Sequence, residues 1–538
     1  VDIKFTRVSA ASSTEYTSLK QSGNMEDILN FFLPYADFLS VNSINLSRGK
    51  IIINDLIDKD IYQVQKLNFY ATKFLLDENT RRNSRYYFNC DDIGLSFSDF
   101  DNLLPGKQYR LQIKRADMST QTGKLKLEGV NVIPQKEAWV TIPNTYYEIS
   151  SPRITVDGFD NDKYMDNKQI HIRSFILNSP KIEITKTGNN RKETNNNSDK
   201  ILDGLVKSIV ADSILIHNGQ LIYKDQLDDK TLTVGLDQFE TRRLDWIMNK
   251  KIDIEKLILE SPIVNTISQA NVEKPKRKED ISFIGLLGDN IRVKELLVSD
   301  AVYEDKQVSQ SLSFRTRLID LSDLSWFKPN TFDISTLNIT SPYLDLSKKG
   351  EAKAPGNRDS INVYNLLSPY FRQGRVQSFK ITDANINYSH TFDEKNAKQQ
   401  KVNSTNIDFT GLTVDTKNKE LDITNLNFST KDFSFPVMDG FYTVGIGGVN
   451  ISKQQGKAQF SDIRMIPAYS KTEFAYRHPK HKDWFDVGVG DVSLSGIDYP
   501  LLFSDNVLKA NNLSINNVLL QNFKNQQIEI QHNYRKPL

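Results

Sequence analysis

IHIRSFILNSP at 170–180, IDIEKLILESP at 252–262 and FDISTLNITSP at 332–342 are three copies of one pattern. Each reads apolar, polar, apolar, then slips phase before two more alternating apolar residues and Ser-Pro. A degenerate copy, LKANNLSINNV, stands at 508–518. Ile170 to Ile252 is 82 residues and Ile252 to Phe332 is 80. Alternation is a strand signal, because successive strand side chains point to opposite faces. Strand units at a fixed period imply an elongated repeat protein rather than a compact enzyme.

A second unit precedes the Ser-Pro pattern: VNSINLSRGKIII (41–53), ADSILIHNGQLIY (211–223), VKELLVSDAVY (293–303) and VQSFKITDANINY (376–388). In three copies apolar residues stand at offsets +3, +5, +10 and +12; the 293–303 copy reads as about two residues shorter. The five-residue gap holds Arg-Gly, Asn-Gly or Asp-Ala, which fits either a hairpin or a sharp corner. The first and last thirds carry a longer version. Tyr109, Leu111, Ile113, Gly123 and Pro134 match Tyr442, Val444, Ile446, Gly456 and Pro467, all 333 residues on. Likewise ITVDGFD at 154–160 matches VSLSGID at 492–498.

The resulting organisation is a polar segment at 1–24, a long unit at 25–185, short units at 201–267 and 281–346, and a long unit at 361–530. Residues 531–538 read as the start of a further unit or a truncated end. Each unit opens with an apolar run without alternation: 27–36, 201–210, 281–289 and 362–371. These are expected to be short helices. The rest reads as strands of about five to eight residues. At roughly 13 residues per strand and turn, that makes about 40 strands. Hydrophilic stretches at 186–200, 268–280 and 347–360 fall at one phase and read as solvated loops.

Composition narrows the function. Lys and Arg total 69 against 67 for Asp and Glu, which gives no electrostatic case for nucleic acid. The single cysteine, Cys90, excludes an intrachain disulfide framework and reads as a small apolar residue. No window approaches the ~20 apolar residues of a membrane helix. His478 and His481, with Asp483, form the only close histidine pair, and a polar turn explains them more simply than a metal site. Gly445, Gly447 and Gly448 do not open a helix, so they are no phosphate loop. No catalytic motif stands out, and neither a catalytic residue, a metal nor a cofactor is expected. Trp246 and Trp326, 80 residues apart, lie just before two Ser-Pro patterns. These tryptophans and the aliphatic rows form either an ordinary core or the lining of a groove that protein does not fill. Alternation alone leaves both open.

The unit ITDANINY or IHNGQLIY followed by L-x-I-x-x-L-x-I-x-S-P resembles the AsmA-like, TamB-related proteins of Gram-negative envelopes, over about 25–535. The resemblance implies an inner-membrane-anchored protein with a periplasmic, taco-shaped β-groove that carries phospholipid acyl chains between membranes. Groove-lining candidates are then Ile44, Leu46, Ile214, Ile216, Leu221, Leu296, Val298, Phe379, Ile381 and Ile386, with Ile172, Leu177, Ile254, Leu259, Ile334 and Ile339 from the Ser-Pro units. The sequence departs from the family pattern in lacking the N-terminal membrane helix, and is expected to be a fragment of something longer. The expected fold is mainly β: one long curled antiparallel sheet with short helices at repeat starts. Its expected partners are phospholipid or another acyl-chain lipid, and a membrane or membrane proteins at the ends. The rival reading is a structural or scaffold subunit of an envelope assembly, β-solenoid-like, with a dry interior.

Overall fold

Alternating sequence does become strand, but the strands are far longer than five to eight residues. The computed structural model describes residues 2–7, 38–55, 60–77, 90–104, 108–138, 145–160, 163–164, 167–187, 207–247, 251–268, 290–327, 331–349, 372–391, 397–418, 420–477, 483–505 and 507–525. The fold is mainly β, with 24 strands among these residues rather than about 40. The chain falls into two units that divide between Leu259 and Glu260.

The first unit holds β1 (Asp2–Arg7), β2 (Phe38–Asp55), β3 (Asp60–Asp77), β4 (Asp92–Leu103), β5 (Tyr109–Ser119), β6 (Lys124–Pro134), β7 (Thr145–Asp157), β8 (Gln169–Asn178), β9 (Lys181–Lys186), β10 (Ser208–Asp225), β11 (Lys230–Ile247) and β12 (Lys251–Glu260). β1, within the segment expected only to be polar, pairs in parallel with β2. β2 to β7 pair antiparallel in order, and β7 pairs antiparallel with both β8 and β9. β10 runs parallel to β8 and β9 and antiparallel to β11.

The second unit holds β13 (Ile263–Ser268), β14 (Asn290–Gln307), β15 (Gln310–Phe327), β16 (Thr331–Thr340), β17 (Tyr343–Lys349), β18 (Gln373–Thr391), β19 (Ala397–Asp415), β20 (Glu420–Val437), β21 (Tyr442–Ser452), β22 (Lys457–Pro467), β23 (Trp484–Ser495) and β24 (Asn512–Phe523). β13 is parallel to β14, and β16 and β17 are parallel to β18. From β18 to β24 every neighbour is antiparallel. The sheets are therefore mixed, which corrects the antiparallel expectation. Parallel neighbours cannot be joined by a tight turn. That is why long segments follow each Ser-Pro strand.

The five-residue gap is a corner inside one strand, not a hairpin. Arg48, Asn218, Asp300 and Asp383 stand at offset +7 of the four copies, and all have left-handed φ of 49–54°. An extra residue at such a bend restores the two-residue phase, so apolar side chains five apart share a face. Gly219 shows this directly: a Cβ there would meet Ile216 Cγ2 at 3.1 Å. The copy at 293–303 is not shorter, because β14 has 18 residues as β10 does. Ser179, Ser261 and Ser341 of the Ser-Pro patterns make the matching bend, and Asn517 does so in the degenerate copy, with φ of 44–56°. The two kinds of bend lie side by side. Ser179 N–H donates to the His217 carbonyl, Ser261 to that of Ser299 and Ser341 to that of Thr382.

The phase slip marks a second bend. Lys73, Arg243, Asp323 and Gly411 are left-handed at equivalent places on β3, β11, β15 and β19, with φ of 48–68°. At Gly411 only glycine fits, since a Cβ would come within 2.2 Å of Thr424 Oγ1.

The long units match in detail. β5 and β21 have 11 residues each, as do β6 and β22. Phe159 N–H donates to the Gly123 carbonyl, just as Ile497 N–H donates to that of Gly456. The expected helices at 27–36, 281–289 and 362–371 lie outside the described residues. Of 201–210, Ser208–Val210 open strand β10, so helix is wrong there. The helices α1 (Lys471–Arg477) and α2 (Tyr499–Asp505) belong to the last long unit, and residues 163, 164 and 167 of the first long unit are also helical. Of the hydrophilic stretches, Lys186, Ser268 and 347–349 close strands, and most of the remainder lies outside the described residues.

Candidate functional site

Register turns scattered apolar residues into continuous rows. In the second unit Val298, Ile319, Ile339, Ile381, Ile407, Phe428, Ile451, Ala458, Leu494 and Leu513 pair one to the next across ten strands. The adjacent row, Leu297, Asp320, Asn338, Lys380, Asp408, Asn427, Ser452, Lys457, Ser495 and Asn512, is polar after its first member. Neighbouring rows point to opposite faces. Along these rows one face is apolar and the other is mostly polar.

The first unit repeats this. Leu46, Phe69, Leu95, Met118, Leu125, Val156, Phe175 and Ile214 form one row, ending at Thr241. Phe97, Ala116, Leu127, Ile154, Leu177, Ile216 and Phe239 form the next. Beyond the bend, Leu111, Val132, Ile149, Ile182, Leu221 and Val234 continue it.

The inside of the bend admits only small side chains. Ser151, Thr316, Ala384, Thr405 and Thr430 are buried there. The hydroxyls among them bind backbone carbonyls beside the bend: Ser151 donates to Asn178 O at 3.2 Å, and Thr316 to Thr340 O at 2.9 Å. Thr430 donates to Asn403 O at 2.9 Å.

The sixteen predicted lining residues all lie on strands. Ile44 packs beside buried Phe74, with Cys90 in the same cluster. Burial, followed by the negative charge of Asp91, pushes the Cys90 thiol up, so it is no ready thiolate. Leu46, Leu177, Ile214, Ile216, Leu221, Ile339 and Ile381 are half-buried members of these rows, and half-buried Leu296 and Phe379 belong to a neighbouring one with Leu321, Leu337 and Phe409. Ile254 and Leu259, on β12, are also half-buried. Ile386, opposite Leu344 and Val402, is 36% exposed. Ile172, Val298 and Ile334 differ: at 6–8% exposure they are core.

Sequence reasoning missed a hollow in the first unit. It has a volume of 540 Å³, and its walls include Leu125, Val156, Phe159, Ile170, Ile172, Phe175, Ile209, Ile214, Leu244 and Trp246. The β5–β6 turn, with Ser119, Thr120, Gly123 and Lys124, forms one rim. Asp92 anchors that turn by accepting from Ser119 Oγ at 3.0 Å and Gln121 N–H at 2.9 Å, and from Tyr70 Oη at 2.7 Å. Burial pushes the Asp92 carboxyl up, but these hydrogen bonds outweigh it and hold it below the usual range. At the equivalent place in the second unit, buried Leu321, Ile334 and Val376 pack with Leu296, Phe332, Phe379 and Phe409. Phe379 and Phe409 stack at 4.4 Å, and the Phe332 ring lies over Gly374.

Two polar concavities, of 320 and 550 Å³, lie in the second unit, lined by residues such as Asn406, Asn427 and Asn450, or Glu304, Arg315 and Asn387. Among the described residues no group of three His, Cys, Asp or Glu could hold a metal. His478 and His481 lie outside them. Among the described residues no helix is long and apolar enough to cross a membrane. No protein-family model and no curated protein sequence matches the chain.

Proposed function

We propose that this chain is a non-catalytic lipid-binding protein of the bacterial cell envelope, whose apolar sheet face shields phospholipid acyl chains in transit between membranes. The observation that carries the reading is the set of unbroken apolar rows whose side chains are mostly half-buried. A row that continues from strand to strand offers an acyl chain apolar contacts at successive steps, so the chain can slide along it. Apolar surface left uncovered on this scale marks a ligand or membrane site. The resemblance to AsmA-like proteins adds a curled, taco-shaped groove, a periplasmic location, an inner-membrane anchor and membrane or protein partners at the ends.

The test is organic extraction of the purified chain followed by lipid mass spectrometry. Phospholipid in stoichiometric amount is the expected result. A clean absence after mild purification favours the second reading, a structural envelope subunit with a dry interior. One observation supports that alternative locally: the second unit fills part of its apolar face with its own phenylalanines.

A further inference from the structure

We propose that the hollow of the first unit is a discrete seat for a single acyl chain bearing an anionic headgroup, and not simply one stretch of a uniform track. This rests on the lipid-binding reading and adds to it a fixed site and a charge preference.

The argument begins with side-chain size. Ala211, Val293 and Val376 are equivalent positions, as are Thr241, Leu321 and Phe409. In the second unit the larger members meet: Val376 is buried and Phe409 stacks on Phe379. In the first unit Ala211 pairs with Leu244, and Thr241 pairs with Ile214. Two small residues thus stand where the second unit has larger ones, directly beside the lining residues Leu244 and Ile214. At 540 Å³ the hollow falls within the about 300–1,000 Å³ of small-molecule sites.

The walls supply a second observation. Thr241 is 2% exposed, and its hydroxyl has no hydrogen-bond partner among the described residues. The indole N–H of Trp246, in the wall itself, is likewise buried without an acceptor. Thr241 stands behind the wall, beside its register partner Ile214, whereas Trp246 lines the hollow itself, and an unpaired donor in such an apolar wall is costly unless an acceptor arrives.

Charge at the rim selects the headgroup. Lys124 is exposed at the mouth and makes no ion pair among the described residues. With the tail against Phe175 and Trp246, an anionic head at the rim meets this ammonium. Fatty acids and anionic phospholipids share that chemistry.

The test uses the full chain with cis-parinarate as a fluorescent probe, displaced by palmitate, by hexadecanol or by phosphatidylglycerol vesicles. One saturable high-affinity site is expected, above a weaker and larger uptake along the rows. The variant Ala211→Val/Thr241→Leu installs the side chains of the equivalent β14–β15 pair. It is expected to weaken the saturable site about tenfold or more, equivalent to about 1.4 kcal/mol, while the weaker uptake persists. Lys124→Gln is expected to weaken palmitate about two- to fivefold and leave hexadecanol unchanged. Palmitate outcompeting vesicles assigns the seat to fatty acid, and the reverse order assigns it to phospholipid. If both variants bind as the parent does, the seat is wrong although the rows still take up lipid. If the parent takes up no probe at all, the lipid-binding reading falls with it. Should the double variant fail to fold, Lys124→Gln, at an exposed position, decides alone.

Discussion

Two places built from the same repeat have opposite interiors. Around Ile214 the first unit is hollow, whereas around Phe379 the second is filled with stacked rings and three buried aliphatic residues. Backbone devices are shared, since the left-handed bends fall at the same offsets in both. The difference lies in side-chain volume at a few register positions. One scaffold therefore packs its interior in one repeat and leaves open space in another, and the choice costs no change of fold.

The largest effect that probes this contrast is charge placed in the packed cluster. Ile334 is buried beside Leu321 and Val376, so Ile334→Asp leaves an unpaired charge in an apolar interior. We expect a loss of about 3–5 kcal/mol or more in urea unfolding. Ile216→Asp, in a half-buried row, is the paired control. It should block acyl-chain uptake and cost far less stability, because water reaches that site. Equal destabilisation by the two substitutions would sink the idea of an open face at Ile216.

A second change opens the packed repeat. Phe409→Ala removes one ring of the stacked pair, and full burial of such a ring is worth about 3–5 kcal/mol on truncation. Phe409 is half-buried, so we expect the low end of that range. The more informative readout is whether the space left behind binds cis-parinarate as the natural hollow is proposed to. Loss of stability without new binding would show that volume alone does not make a seat.

Much of this architecture was legible in the sequence, and the reasons are specific. The gap between Ile216 and Leu221 and the slip between Ile172 and Phe175 both break a two-residue period. Each break coincides with a bend that restores the face. The 333-residue offset of the long units reappears in the strand pairs β5 and β21, and β6 and β22. Strand length was misread because Asn-Gly and Asp-Ala suit hairpins as well as corners, and propensity does not separate them. Parallel pairing was missed because alternation carries no information about strand direction. The hollow was invisible for a different reason. Ala211 and Thr241 become significant only once register sets them at the places of Val376 and Phe409.

The bends themselves give a smaller effect, common to both units. Asn218 holds φ of 49° at the corner of β10, and Asp300 does the same on β14. Asparagine and aspartate tolerate that region, but a β-branched side chain does not. Asn218→Val and Asp300→Val should each cost about 1–2 kcal/mol in thermal or urea unfolding. The glycine variants should be close to neutral. If the valine variants are as stable as the parent, the corners are not held by left-handed residues in solution.

The smallest effect is read through pH. Asp92 is held below the ordinary carboxylate range because its hydrogen bonds outweigh the cost of burial. A depressed folded-state value stabilises the fold above the unfolded carboxylate range, about pH 3.9, and that contribution is lost as pH falls through the folded value. Asp92→Asn should therefore be less stable than the parent at pH 7, by about 1 kcal/mol for the weakened hydrogen bonds. The gap should close on acidification, once the parent carboxyl is itself protonated. Because Asp92 ties Tyr70 to the β5–β6 turn, the substitution also loosens the rim that carries Lys124. Palmitate binding should weaken with it at pH 7, while stability of the packed cluster around Leu321 stays as it was. A uniform loss in both units would mean that Asp92 acts on the whole chain and not on the hollow.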